Sequence, residues 1–126
     1  MRNIFQPLFI LICLISGCVL QQQKALSAST PDELFKSCLY LLENDKFEEV
    51  IAFSIAPSTK VKRPGKYQEA INGMTVQRKQ ELISEMKIMM NSTPIKYTVN
   101  ESAVYQISEY HTTKIIFLDN RWYFEQ

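Results

Sequence analysis

From Leu34 onward the apolar residues recur at steps of three and four, and from Ile95 onward they alternate. The change of period divides the chain into a helical half and a β half. The stretch TPDELFKSCLYLLEN puts Leu34, Phe35, Cys38, Leu39, Leu41 and Leu42 on one face and predicts an amphipathic helix. Thr30 stands as its N-cap, Pro31 takes the first helical position, and Glu33 completes a capping box. The stretch NDKFEEVIAFSIAP predicts a second, shorter helix, capped by Asn44 or Asp45 and ended by Pro57. A third is predicted from near Thr75 to Met90 or Asn91. Its stripe of Leu82, Ile83, Met86, Met89 and Met90 is read as core; an adaptable methionine groove is the alternative. Between the second and third helices, APSTKVKRPGKYQ reads as irregular chain. Its cations Lys60, Lys62, Arg63 and Lys66 read as a solvated loop rather than an anion site.

Four strands are predicted in IKYTV, AVYQI, TTKIIFL and RWYFEQ, all rich in β-branched and aromatic residues. Turns fall at Asn100 to Ser102 and Ser108 to His111. Asp119-Asn120 is a candidate two-residue hairpin turn, and such a turn sets the register. Leu118 then faces Arg121, Phe117 faces Trp122, Ile116 faces Tyr123 and Ile115 faces Phe124. One face carries Ile115, Phe117, Trp122 and Phe124, suited to cover helices. On the other, Lys114 and Glu125 pair across strands. The fold class expected is α+β, with about three N-terminal helices packed on a C-terminal antiparallel β-meander of about four strands.

The N-terminus follows neither period. Arg2 precedes an apolar run from Ile4 to Ile15, which ends in Ser16, Gly17 and Cys18. A basic start, a short apolar segment and small residues before a break describe a secretory signal peptide. A spanning helix needs about 20 apolar residues; this run is shorter and contains Gln6 and Pro7. Ile15-Ser16-Gly17-Cys18 resembles the lipobox of bacterial lipoproteins. The resemblance implies that residues 1–17 are cleaved and that Cys18 receives a diacylglycerol on sulfur and an acyl group, such as palmitate, on its new amine. An ordinary signal peptide with a chance cysteine is the alternative. In lipoproteins of Gram-negative bacteria an aspartate after the cysteine favours inner-membrane retention. Val19 at that position implies the outer membrane, periplasmic face. Residues 18–30, with little apolar periodicity, read as a tether, and 31–126 as one domain.

Charge adds one exclusion. The net charge is +1, and loss of Arg2 with the signal brings it to zero, so no strong field draws nucleic acid or an anionic membrane. Cys13 leaves with the signal and Cys18 is acylated, which leaves Cys38 with no internal partner. On an apolar helix face it is either a buried thiol or an intermolecular bridge.

Chemistry-bearing patterns are sparse. His111 is the only histidine, and a metal site needs clustered ligands. No nucleophile motif or glycine-rich phosphate loop is present, so no catalytic constellation and no cofactor is expected. Tyr97, Tyr105, Tyr110 and Tyr123 lie in or beside the sheet and form the candidate binding surface, since tyrosine combines apolar area with a hydroxyl. Ordinary cross-strand packing is the competing reading.

Three helices followed by a meander ending in IIFLDNRWYFEQ resemble the nuclear transport factor two-like (cystatin-like) fold, over residues 30 to 126. The resemblance rests on element order and on Asp119 to Phe124. It implies helices on the concave face of a curved sheet, with a pocket between. The functional expectation is a membrane-anchored periplasmic interaction module, an accessory or inhibitor of an envelope protein. Its alternative is a carrier or sensor of a small apolar ligand, in a pocket lined by Trp122, Phe117 and the methionines of the third helix.

Overall fold

The computed structural model describes residues 26–125. The expected signal segment, Cys18 and most of the expected tether lie outside the described residues.

Among the described residues five helices precede four strands: α1 Pro31–Glu43, α2 Phe47–Ser54, α3 Pro57–Lys62, α4 Pro64–Asn72, α5 Val76–Met90, then β1 Lys96–Thr98, β2 Ser102–Ser108, β3 His111–Leu118 and β4 Arg121–Phe124. The class is the expected α+β, with two helices more than the period predicts. Both additions come from APSTKVKRPGKYQ, read above as irregular. Pro57 and Pro64 sit in first helical turns, where a fixed φ and a missing N–H cost nothing. Read as a terminator, Pro57 hid one start, and Pro64 inside the segment read as irregular hid the other. Tyr67 and Ile71 of α4 pack against the core, so burial supports a helix that local pattern does not announce.

Helix α1 is anchored by the five apolar side chains it buries, Leu34, Phe35, Cys38, Leu41 and Leu42. Thr30 Oγ1 accepts the Glu33 N–H at 3.2 Å. The Glu33 carboxylate takes a backbone hydrogen bond from Thr30, the return half of the capping box. It also reaches further back, accepting Ser29 N–H at 3.0 Å, Ser27 Oγ–H at 2.7 Å and the Ser29 hydroxyl. Ser27 N–H also donates to Ser37 Oγ at 2.9 Å, and the buried Ala28 accepts Trp122 N–H through its carbonyl at 2.8 Å. The last residues of the expected tether, Ser27 to Ser29, are therefore strapped to α1 and β4, and the ordered unit starts before residue 31.

The hydroxyls of Ser29 and Ser27 hold the Glu33 carboxyl below its usual value. A depressed folded value means that the strap is stabilised above the ordinary glutamate range and loses that stabilisation as pH falls through the folded value. Amide exchange at Ser27 and Ser29 is expected to accelerate on acidification below about pH 4.3, beyond the intrinsic pH trend, and Glu33→Gln should abolish the excess.

Asp45 is not the cap of α2. It takes a left-handed conformation, φ 58°, and its carboxylate meets Lys79 Nζ at 2.6 Å; α2 starts after Lys46 with no side-chain cap. Helix α5 follows the sequence closely. Thr75 Oγ1 accepts the Arg78 N–H at 3.1 Å, the helix ends at Asn91, and Met86 and Met89 are buried.

The sheet is a simple antiparallel meander, β1-β2-β3-β4. Asp119 and Asn120 have φ of 50° and 64°, as a type I′ turn needs. The register is the one the turn dictates: Ile115↔Phe124, Ile116↔Tyr123, Phe117↔Trp122 and Leu118↔Arg121. Lys114 Nζ and Glu125 Oε2 are 3.5 Å apart. Ala103, Tyr105, Ile115, Trp122 and Phe124 join the helices' apolar faces in one core. Rings of the first and last strands meet, Tyr97 stacking on Trp122 at 6.3 Å between centroids. Contact between outer strands requires the sheet to curl; Ala103, paired with Tyr97, offers only a methyl there.

Candidate functional site

A cleft of about 490 Å³ lies between the helices and the sheet, within the usual size of small-molecule sites. Its floor comes from four apolar stripes: Cys38 and Leu42 of α1, Val50 and Ile51 of α2, Leu82 and Met86 of α5, and Phe124 of β4. Helix α4 supplies one wall through Ala70 and the following Met74. The mouth is polar. Arg78 and Glu85 reach it from α5, His111 and Lys114 from β3, and Glu125 follows β4. His111 Nε2 stands 4.0 Å from Glu85 Oε1 across the α5–β3 gap. Arg78 bonds Glu81 at 3.2 Å and Lys114 pairs with Glu125, so the rim is close to charge balance.

An apolar floor under a polar rim suits a molecule with a greasy body and a polar end. The Cys38 thiol is on that floor, and burial pushes it up to about 12. It is therefore protonated at neutral pH and no nucleophile. Among the described residues no group of three or more His, Cys, Asp or Glu side chains could hold a metal ion, and no helix is long and apolar enough to cross a membrane.

The four tyrosines do not form one surface. Tyr97 and Tyr105 project on the helix-bearing face of the sheet and Tyr123 on the opposite one, as the pairings require. Tyr110 caps the β2–β3 turn, 92 % exposed. Tyr105 is only 4 % exposed; it meets Phe35 edge-on at 5.2 Å, and burial pushes its phenol above the ordinary value. It is core. Tyr123 is buried beneath Arg121, whose guanidinium lies 4.2 Å from the Tyr123 ring and 4.2 Å from Phe53. Arg121 Nη2 also donates to the Phe53 carbonyl at 2.5 Å. This stack fastens α2 to β4. Packing against α1 thus claims Tyr105, and a cation–π stack claims Tyr123.

The predicted ligand pocket is corrected as well. Trp122 and Phe117 stack on one another at 5.3 Å and line no part of the cleft. Met86 is the one methionine of the predicted stripe that does. Sequence reasoning missed the rim pair Glu85–His111. A glutamate bordering an apolar stripe was the available signal for Glu85. His111 was assigned to a turn, whereas it opens β3.

No family model, curated protein or solved structure matches the chain.

Proposed function

We propose that the protein is a lipid-anchored envelope protein, held by acylated Cys18 at the periplasmic face of the outer membrane, whose domain binds a small amphipathic molecule in the cleft. The cleft carries this reading: it combines an apolar floor, a polar rim and a usual ligand volume. The address rests on the lipobox resemblance of Ile15 to Cys18. The helices, the curled sheet and the pocket between them also support the resemblance to the nuclear transport factor two-like fold. Binding is preferred over catalysis because the Cys38 thiol on the cleft floor is held protonated. Tyr110, fully presented at its turn, favours a second reading, in which an envelope protein partner docks at that end of the sheet.

The test uses the apolar fluorophore N-phenyl-1-naphthylamine and native mass spectrometry of the purified protein. Saturable one-to-one binding is expected. Ala70→Trp fills the cleft from an exposed position on α4 and should weaken binding at least about tenfold, or 1.4 kcal/mol, with the far-ultraviolet spectrum unchanged. Wild-type affinity in a folded Ala70→Trp protein would exclude the cleft as the site.

A further inference from the structure

One apolar strip belongs to neither the core nor the cleft. Ile95, Tyr97 and Val99 alternate along and beside the edge strand β1 and are 60 %, 52 % and 71 % exposed. All three residues of β1 are open to solvent. Between Ile95 and Asn100 the chain carries Lys96 and no carboxylate. Such a strip on an otherwise packed domain marks a surface that something covers.

The structure also shows where the N-terminal segment joins. Leu26, the first described residue, is itself exposed. Two residues on, the Ala28 carbonyl accepts the Trp122 N–H, and the Trp122 ring stacks on Tyr97. The junction with the N-terminal segment and the β1 strip thus adjoin the same aromatic pair. The chain from Cys18 to Leu26 can extend at most about 29 Å, so an acyl anchor on Cys18 cannot lie far from this corner.

We propose that the β1 strip, Ile95, Tyr97 and Val99, is the surface on which the domain rests against the lipid bilayer carrying its anchor. The inference relies on the reading of Cys18 as acylated. Aliphatic side chains with a tyrosine suit the boundary between headgroups and acyl chains, where an amphipathic ring places its hydroxyl toward water. A partner strand is the poorer occupant. β1 is three residues long and carries a lysine, two devices by which proteins keep sheet edges from pairing. With the acyl chains already inserted, the strip needs only modest burial to hold one orientation, because tethering makes the second contact intramolecular.

The experiment compares full-length lipidated protein and Cys18→Ala protein, each mixed with vesicles of phosphatidylethanolamine and phosphatidylglycerol, by amide hydrogen exchange. In the lipidated protein the amides of Tyr97 to Asn100 should exchange about tenfold more slowly than in Cys18→Ala protein. Triple substitution I95S/Y97S/V99S in the lipidated protein should abolish that protection while the helices stay protected. Unchanged exchange at β1 in lipidated protein that cosediments with vesicles overturns the inference and leaves the anchor standing. Protection that appears in both proteins and grows with protein concentration identifies a second copy as the occupant and also overturns it. Absence of acyl mass on Cys18 removes the anchor reading, and the inference with it.

Discussion

Phe35→Ala is expected to destabilise the domain by about 3–5 kcal/mol. Phe35 is among the largest fully buried side chains of the described residues. It meets Tyr105 edge-on at 5.2 Å and Phe124 at 6.0 Å, so it joins α1 to the second and fourth strands at once. Truncation removes the transfer energy of the ring and leaves a cavity between helix and sheet. The two neighbouring rings, fixed to β2 and β4, relax only partly into that cavity. A domain of this size has roughly 5–15 kcal/mol in total, so the loss is a large share. Each kcal/mol corresponds to about 4–8 °C in midpoint, and circular dichroism should show a fall of at least about 12 °C. Tyr110→Ala, at an exposed turn, should stay within about 0.5 kcal/mol. If both variants melt alike, α1 does not dock through Phe35.

Cys18→Ala is expected to turn a membrane-bound protein into an unprocessed or released one. Under the proposed address, all firm attachment comes from the acyl chains on this residue. Each buried methylene contributes about 0.8 kcal/mol; one chain binds marginally and two or three bind firmly. No other side chain at that point can replace the thiol, since alanine offers no nucleophile for thioether formation. Fractionation of envelopes and the intact mass of the mature protein measure the outcome. A Cys18→Ala protein that is cleaved after Gly17 and still retained in the membrane like the wild type would sink the lipoprotein reading. The remaining cysteine cannot mimic the effect: Cys38 is free and buried in the core.

The legible parts of the fold were those whose determinants are neighbours in sequence. Thr30 was identifiable as a cap because a cap bonds a residue three positions on. The β3–β4 register was identifiable because Asp119-Asn120 accept positive φ, and a two-residue turn leaves one pairing. Burial of Cys38 followed from its place in a helical stripe. The cleft was not legible. Its floor draws on residues from Cys38 to Phe124, and no period or spacing links them. The tyrosines failed as a set for a related reason. Alternation tells which residues share a face of one strand, and Tyr97 and Tyr105 do share one. Only the docking of α1 decides that Tyr105 is covered while Tyr97, at the edge, is not.

Sequence alone therefore determined the helical and β halves, three of the helices, the hairpin and the α+β class, because capping, helical stripes and turn chemistry act over a few residues. It also supplies the whole case for the anchor at Cys18. Tertiary structure decided the rest. It made two helices of α3 and α4, strapped Ser27 to Ser29 onto the domain, placed Arg121 between Phe53 and Tyr123, and brought His111 opposite Glu85. Each of these depends on side chains far apart in the chain and brought together by burial of the common core, which a local pattern does not encode.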